Sequence, residues 1–305
     1  MEYLGNVENK YMILSIEKDL YTYDLFEVIE EETKIKYIIK CLKKENEDIP
    51  ANEIEILNKI KNINNPYISK FIGHGKGNVT LNNEEPKIKS YLIFEYMTKF
   101  PLYYYVSGEA HGFGEKQAKL IFRKILNGIQ AIHETNICHL DIKAQNILLD
   151  DNYNPKIFGF EHSCLNADDL KNFVGTQNYA SPEIFNSKPF NGIKADIFSL
   201  GTLLFILVNG ILPFHSSQKF DVYYSRIIVK KYQEYWNSET IRNLNLSDSF
   251  KNLFVKMVAY NPNERPSIDD ILNDEWMQEI NNLNAEQLNN LEDEVRQEFQ
   301  ARRQN

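Results

Sequence analysis

The amino-terminal third of the chain carries the apolar pattern of β-strands. Segments rich in β-branched and aromatic residues, which favour strands, occupy residues 11–16, 23–29 and 35–41. A polar stretch with several turn-forming residues, 73–90, predicts a loop between two strands, and the short apolar run 91–97 predicts the second of these strands. These elements together predict a small lobe built on a sheet.

Helical patterns interrupt the strands once and then dominate the rest of the chain. After Pro50, apolar residues recur at helical spacing as far as Ile60. Beyond residue 98 long helices are predicted, among them 115–133 and 195–209. The change from strands to helices indicates a boundary between two lobes. The predicted division of the chain is 10–97, 98–279 and 280–305.

The last segment, residues 281–305, predicts a polar helix with one apolar stripe. Its apolar residues are spaced by three and four positions: Leu288, Leu291, Val295 and Phe299. Such a stripe needs a surface to cover it. Two interpretations stay open: the helix docks on its own large lobe, or it binds a partner or a second copy of the chain.

Composition and charge narrow the class of protein. Of 305 residues, 43% are hydrophobic and 25% charged, which is ordinary for a globular chain, and the formal net charge is −9. An acidic balance argues against nucleic-acid binding. No stretch approaches the roughly 20 apolar residues of a membrane span. The amino-terminal residues lack a basic segment followed by an apolar one, so neither membrane association nor a secretory signal is predicted.

The three cysteines, Cys41, Cys138 and Cys164, lie far apart in the sequence. Their spacing matches neither a metal site nor the even-numbered disulfide framework of small secreted domains. We therefore expect a reducing, cytoplasmic environment.

Six short motifs carry a specific resemblance. Residues 132–149 read IHETNICHLDIKAQNILL, which resembles the protein kinase catalytic loop followed by an apolar strand. Five further segments are similar to kinase motifs and follow the family's order: YIIK at 37–40 with Glu53 in the next helix, GTQNYASPE at 175–183, DIFSLG at 196–201, GILPF at 210–214 and NPNERPS at 261–267. The resemblance covers about residues 10–278.

The resemblance implies an α+β protein kinase fold with two lobes. The small lobe would hold an antiparallel β-sheet and one helix, and the large lobe would be mainly helical. Lys143 and the form of the segment 175–183 look like the Ser/Thr branch of the family. The general style is similar to calmodulin-dependent and calcium-dependent kinases. No calcium-binding loop of the EF-hand type follows the domain, so direct calcium sensing is not predicted.

The resemblance also implies the roles of individual residues. Asp141 stands where the family's proton-accepting base stands, and Lys143 where a lysine contacts phosphate; these are the catalytic candidates. Lys40 stands where a lysine reaches the α- and β-phosphates, and Glu53 stands where a glutamate orients that lysine. The other candidates for contact with nucleotide are Glu95, Met97, Asn146 and Leu148, and Asn146 also stands where a magnesium ligand stands. ATP and Mg²⁺ are the cofactors of an active protein of this kind.

Two motifs needed for phosphoryl transfer are degraded. Gly159 replaces the aspartate that holds Mg²⁺, although Phe160 keeps the aromatic residue that follows it. The glycine-rich loop is replaced by residues 16–24, which contain no glycine and include Glu17 and Asp19. Like charges about 4 Å apart repel by roughly 4 kcal/mol at an effective dielectric constant near 20, enough to weaken polyphosphate binding.

Further substitutions affect the expected nucleotide pocket. Ile38 replaces the small alanine that faces the purine, and Asp24 falls near the valine on the other side. Pro101 replaces an acid that binds ribose, Phe94 is a bulky residue at the rear, and Leu140 replaces the arginine that anchors a phosphorylated activation segment.

Three functions follow as hypotheses. The first is a catalytically impaired pseudokinase that acts as a scaffold or allosteric protein partner and needs no cofactor. The alternative is an active ATP-dependent Ser/Thr protein kinase with atypical or metal-independent phosphoryl transfer, supported by Asp141, Asn146 and the Lys40–Glu53 pair. The third is an adaptor acting mainly through residues 281–305, which is compatible with the first.

Overall fold

The computed structural model describes residues 3–17, 22–82, 84–99, 101–107, 111–166, 168, 170, 175–186 and 189–302. The chain forms two compact units. The first comprises Met1–Asn64 and Ser69–Thr98, and the second comprises Asn65–Ile68 and Lys99–Asn305.

Within the described residues, the first unit is a closed antiparallel barrel with one helix, α1 (Ala51–Ile60). Its strands are β1 (Gly5–Val7), β2 (Tyr11–Glu17), β3 (Tyr23–Glu30), β4 (Lys36–Leu42), β5 (Phe71–Leu81) and β6 (Lys87–Glu95). They follow the order β1-β2-β3-β4-β6-β5, and β1 pairs with β5 to close the barrel. Alternate side chains, among them Phe26, Val28 and Ile39, fill its core, as the two-residue repeat of a strand requires.

The predicted loop at residues 73–90 is wrong. β5 and β6 take up most of this stretch, and they pair through Val79 and Lys87, so the connection is confined to residues 82–86. Gly75 of β5 has a packing reason, because a Cβ at this residue would lie 2.4 Å from the hydroxyl of Tyr91. Tyrosine covers this glycine across the strand pair, so a stretch with turn-like composition is extended.

The second unit is mainly helical. Its longest helices are α3 (Gly114–His133), α4 (Gly192–Asn209) and α10 (Ala285–Arg302). Short antiparallel ribbons are formed by β7 (Ile137–Cys138) with β10 (Cys164–Leu165) and by β8 (Ile147–Leu149) with β9 (Pro155–Ile157). The remaining helices are α2 (Tyr103–Val106), α5 (Tyr224–Ile228), α6 (Tyr232–Trp236), α7 (Asp248–Met257), α8 (Ile268–Leu272) and α9 (Gln278–Asn281). The sheet-rich and helix-rich units confirm the predicted fold class.

Helix α4 is the core of the second unit. The Asn191 side chain caps its amino terminus by accepting from the Lys194 N–H at 2.9 Å, and Gly210 ends it with a φ of +74°. Against expectation, this 18-residue helix is long and apolar enough to cross a membrane, with a mean hydropathy of 1.5. Because 83% of it is buried within the protein, we interpret it as a core helix.

The carboxyl-terminal helix α10 covers part of the second unit with its apolar stripe. Leu291, Val295 and Phe299 are buried, while Leu288 is half-buried. The Phe299 ring lies 4.7 Å from the ring centre of Phe113. It also contacts the rings of Tyr105 and Tyr153.

Arg302 fixes the end of this helix to the segment before α3. Its guanidinium donates to the carbonyl oxygens of Tyr105 at 2.9 Å, of Gly112 at 3.0 Å and of His111. It also lies 4.0 Å from the centre of the Phe113 ring. The apolar stripe is therefore covered by the chain itself.

Candidate active site

The loop that follows β7 is oriented by a buried carboxylate of α4. Asp196, which is fully buried, accepts hydrogen bonds from the backbone N–H groups of His139 and Leu140, both at 2.8 Å. Leu140 has a left-handed φ of +62° and packs in an apolar cluster with Ile184 and Phe190. The apolar side chain of Leu140 thus occupies the position where the kinase motif has an arginine, and it is buried in the interior.

Asp141 is held by three side chains. Its Oδ2 accepts from Lys143 Nζ at 2.7 Å and from Asn146 Nδ2 at 2.8 Å, and its Oδ1 accepts from Thr176 Oγ1 at 2.7 Å. Lys143 Nζ also donates to Thr176 Oγ1 at 2.8 Å. Burial would raise the pKa of Asp141, but the Lys143 ammonium and these hydrogen bonds outweigh it and lower the pKa. The carboxylate therefore stays ionised, with both oxygens engaged.

His139 is a buried neutral imidazole with both nitrogens bonded to backbone. Its Nε2 lies 3.0 Å from the carbonyl oxygen of Phe158, and its Nδ1 accepts from the Asp141 N–H at 3.2 Å. These partners require the tautomer with the proton on Nε2. Burial lowers the pKa of His139. The ring also packs on Phe160 with centres 5.1 Å apart, so Phe160 fills an apolar position as expected.

Asn146 takes the space beside Gly159. Gly159 has a φ of +82°, and a Cβ at this position would lie 2.6 Å from Asn146 Cγ. The Asn146 amide is anchored there, because its Nδ2 donates to both the carbonyl oxygen and Oδ2 of Asp141 at 2.8 Å. The backbone conformation and this neighbour both favour glycine at residue 159.

The groups around Asp141 and Gly159 do not fit a magnesium ion well. Mg²⁺ binds through carboxylates and water in octahedral geometry. Here the oxygens of Asp141 already accept from three side chains, and residue 159 has no side chain. Across the residues that the structure describes, no group of three or more His, Cys, Asp or Glu residues is arranged to hold a metal.

Leu148 and Ser163, which also belong to the second unit, are both buried and held by structural contacts. Leu148 is buried in β8 opposite Lys156 of β9. Ser163 is buried, and its hydroxyl donates to the carbonyl oxygen of His139 at 3.2 Å. Its hydroxyl is therefore not presented for modification in this conformation.

In the first unit, Lys40 and Glu53 form a buried pair that a third residue closes. Lys40 Nζ lies 3.6 Å from Glu53 Oε1, and their side chains are 3% and 4% exposed. The Tyr23 ring centre is 3.9 Å from the same ammonium, and the Tyr23 hydroxyl donates to Glu53 Oε2 at 2.8 Å. Burial, with the Glu53 charge, raises the pKa of Tyr23 far above its ordinary value, so the hydroxyl stays a donor.

The pairing of β3 with β4 corrects the alignment of Asp24. Leu25 lies opposite Lys40, and Asp24 lies opposite Cys41, whose side chain is in the barrel core. Since side chains alternate between faces, Leu25 and not Asp24 shares the face of Lys40. Leu25 thereby matches the valine of the G-x-G-x-x-G-x-V pattern, which places Tyr23 at its last glycine.

Ile38 lies on the same face beside a polar cluster. It is half-buried, and its cross-strand partners are Glu27 and Phe94. Glu27 accepts from Tyr96 Oη at 2.7 Å and from Lys36 Nζ at 2.8 Å. Burial of Glu27 opposes ionisation, but these hydrogen bonds lower its pKa, so a carboxylate stands next to Ile38.

The remaining predicted contacts lie at the ends of the two units. The Glu95 N–H donates to the carbonyl oxygen of Lys70 at 3.0 Å, and the Glu95 carboxylate accepts from the Lys70 N–H at 2.8 Å. Met97 is 8% exposed in the first unit, and Pro101 is half-buried in the second. Of the predicted glycine-loop replacement, residues 18–21 lie outside the described residues, including Asp19.

The end of the activation segment is held by a buried arginine. Arg265 donates to both carboxylate oxygens of Glu183 at 2.5 and 2.7 Å. It also donates to the carbonyl oxygens of Ala259 and Lys194. Arg265 and Glu183 therefore join the segments 175–183 and 261–267, which are far apart in the sequence.

The structure groups Asp141, Lys143, Asn146 and Gly159 in the second unit, and Lys40 with Glu53 in the first. The sequence did not single out Tyr23, which fell both in the predicted strand 23–29 and in the segment 16–24 that replaces the glycine-rich loop. Its signal was a large aromatic residue where the motif has a glycine, but finding it required the strand register.

Comparison with known proteins agrees with this geometry. The protein kinase domain family matches residues 24–277. The human NUAK family SNF1-like kinase 1 is 33% identical over 247 residues, which is 80% of this chain and 34% of that protein. The NUAK family SNF1-like kinase 2 of Pongo abelii is 32% identical over 248 residues, 80% of this chain and 36% of that protein. The chain spans about a third of the length of these relatives.

With that match, the paired strands, the catalytic-loop geometry and the Glu183–Arg265 ion pair all describe the same architecture. The chain belongs to the protein kinase domain family, and its relatives include SNF1-like kinases.

Proposed function

We propose that this chain is a catalytically impaired protein kinase domain, a pseudokinase that acts as a scaffold or allosteric partner in signalling. The observation that carries the proposal is the closure of Lys40 by Tyr23 and Glu53 in the first unit. The lysine that would hold nucleotide phosphates is already satisfied by groups of its own unit.

A phosphate group would compete with the existing contacts of the Lys40 ammonium. A desolvated cation–π contact contributes about 2 kcal/mol or more. A phosphate would have to draw Lys40 away from Tyr23 or displace the ring. These contacts therefore work against phosphate binding.

Gly159 leaves the expected magnesium site without its carboxylate. The family's aspartate supplies the carboxylate that places Mg²⁺, and Gly159 cannot supply it. Asn146 lies against this residue and is bonded to Asp141. The donors present do not fit the metal, so we assign no magnesium-dependent step to this protein. ATP is then at most a weakly bound ligand.

The alternative is an active Ser/Thr kinase with atypical or metal-independent chemistry. The observation that favours it is the ionised Asp141, held by Lys143 and Thr176 as a proton-accepting base would be. In this alternative ATP is the phosphate donor, and Lys40, Glu53, Glu95, Met97, Asn146 and Leu148 contact it. The similarity in style to calmodulin-dependent and calcium-dependent kinases also stays a prediction.

A protein partner is the natural target of a scaffold. Phe220 and Val222 are 79% and 64% exposed beside an open cavity of about 510 Å³ that His215 and Tyr223 also line. Exposed apolar groups of this kind are typical of interaction sites. We propose a cytoplasmic protein partner, with no role for nucleic acid or membrane. Since the apolar stripe of α10 is covered, contact through that helix would use its polar face.

Thermal unfolding with and without millimolar ATP, each with Mg²⁺ and with EDTA, tests the proposal. The protein is expected to show no shift under any of these conditions, whereas a ligand at about 100 times its Kd adds roughly 2.7 kcal/mol. A shift that requires Mg²⁺ would overturn the proposal. A shift that survives EDTA supports metal-free nucleotide binding and favours the alternative.

Tyr23→Ala makes the test specific to Lys40. Removing the ring is expected to create an ATP-dependent shift. The matched control is Tyr37→Ala, which removes a half-buried ring whose neighbour is Tyr11, 6.0 Å away. If both variants gain the same ATP response, or neither gains any, closure of Lys40 by Tyr23 does not limit binding.

A further inference from the structure

Two of the three cysteines face each other across the ribbon of β7 and β10. Cys138 and Cys164 are direct partners in this antiparallel pair. Both are free thiols, and Cys138 Sγ lies 3.6 Å from the carbonyl oxygen of Cys164. The sequence, with 25 residues between them, gave no indication of this proximity.

The register places both side chains on one face of the ribbon. Asn166 N donates to Asn136 O at 3.1 Å, so the pair two residues further along, Cys138 with Cys164, is again a hydrogen-bonded pair. Such partners have Cα atoms about 5.5 Å apart, which lies within the range of roughly 4.4–6.8 Å found for disulfides. Both side chains also join one apolar cluster with Leu140 and Ala195.

The two thiols differ in their access to solvent. Cys138 is fully buried, and Gly192 makes room for it, since a Cβ at Gly192 would lie 2.4 Å from the sulfur. Cys164 is partly exposed. A small oxidant therefore reaches Cys164 first, and Cys138 is the neighbouring thiol able to react with the product.

We propose that Cys138 and Cys164 form an oxidative modification site that takes a hydroperoxide as substrate and closes to an intramolecular disulfide. The Cys164 thiolate attacks the terminal oxygen of the hydroperoxide, which gives a sulfenic acid and releases an alcohol or water. The Cys138 thiolate then attacks the Cys164 sulfur and displaces hydroxide, which takes up a proton and leaves as water. The two sulfurs lose two electrons in total, and the peroxide O–O bond is reduced.

Burial raises the pKa of Cys164, and it raises the pKa of Cys138 further. The thiolate is the reacting form of cysteine. Closure is therefore slow at neutral pH and faster as the pH rises. The site responds to sustained oxidant and not to brief exposure.

The disulfide would connect the two strands that border the candidate active site. β7 leads directly into His139 and Asp141, and β10 follows Gly159 and Ser163, which already contacts the His139 carbonyl oxygen. The covalent loop encloses residues 139–163. Cross-linking stabilises a domain mainly by restricting its unfolded state, so the oxidised form is expected to melt several degrees higher. Disulfide formation does not depend on whether the protein is an active kinase.

The test treats the native, full-length protein with hydrogen peroxide at pH 8 and maps its peptides without reduction. The expected product is a peptide that links Cys138 to Cys164, with a loss of about 2 Da that dithiothreitol reverses. Cys41→Ala should leave the linkage unchanged, since that thiol is in the barrel core. Cys164→Ser should abolish both the linkage and the rise in melting temperature.

Other products would overturn the proposal. They are a sulfinic acid at Cys164 without linkage, a disulfide between two molecules, or oxidation confined to Cys41. A linkage that forms only when the circular dichroism of the fold has been lost would also overturn it, because the native register would then not be responsible. The unmodified sequence gives these readouts directly, so the test does not depend on a variant that folds.

Discussion

The Lys40 ammonium lies 3.9 Å from the centre of the Tyr23 ring, and the Tyr23 hydroxyl donates to the carboxylate that pairs with this lysine. One aromatic residue thus contacts both members of the ion pair. In the kinase motif this position is a glycine, whose lack of a side chain leaves room for phosphate. The side chain of Tyr23 therefore fills the space beside Lys40 that a glycine would leave, and it forms a closed cluster with Lys40 and Glu53.

Tyr23→Phe is expected to destabilise the protein by about 1–3 kcal/mol, because it leaves Glu53 Oε2 buried without its donor. The ring and its contact with Lys40 are kept. Urea unfolding at pH 7 measures the change in the free energy of unfolding. Tyr37→Phe, at a half-buried position on the next strand, should change it by less than about 0.5 kcal/mol. Equal effects of the two variants would contradict a buried hydrogen bond at Glu53.

Gly159→Ala is expected to cost about 2–3 kcal/mol, because an L-residue at a φ of +82° is strained and its Cβ overlaps Asn146. Gly159→Asp should be destabilised similarly and should not gain magnesium-dependent ATP binding. In a double-mutant cycle by chemical denaturation, Asn146→Ala should recover part of the loss. Gly73→Ala is the control, since a Cβ there meets nothing within 4 Å. Strict additivity at 146 and 159 would refute the overlap.

Phe299→Ala is expected to cost about 3–5 kcal/mol by leaving a cavity among the rings of Tyr105, Phe113 and Tyr153. Deletion of residues 281–305 should destabilise the second unit in the same way. Gln297→Ala, on the exposed side of the helix, serves as the control. Thermal unfolding gives the comparison. A deletion that kept full stability while losing a bound protein would support the adaptor hypothesis instead.

The buried His139 makes stability depend on pH. Its pKa is lowered by burial, so below the ordinary histidine value of 6.5 the unfolded chain binds a proton that the folded chain does not. The free energy of unfolding should therefore fall with decreasing pH below 6.5, by up to about 1.4 kcal/mol per pH unit. Protonation of Nδ1 would also break its bond to the Asp141 N–H.

His139→Asn removes this proton uptake, so its stability should decline less between pH 7 and pH 5. Denaturant unfolding at each pH compares the slopes, which are independent of any overall loss of stability in the variant. Parallel profiles for the two proteins would show that His139 does not bind its proton differently in the folded state.

Much of the fold was predictable because its signals are local. Apolar spacing predicted α3 and α4 nearly to their ends, and Pro50 marked the start of α1. The order of the motifs along the chain correctly indicated the kinase fold. The loop predicted at residues 73–90 was wrong because glycine and polar residues are typical of turns, whereas here Tyr91 packs on Gly75 from the neighbouring strand.

The sequence by itself determined the family, the lost aspartate and the lost glycines, since each is a residue type at a position set by its motif. Only the tertiary structure decided that Leu25 and not Asp24 lies on the same face of the sheet as Lys40, and that the Tyr23 ring covers this lysine. It also decided that Cys138 and Cys164 are opposite each other in paired strands. The physical reason is strand register. A shift of one residue reverses every side chain, and pairing is chosen by packing across the whole sheet.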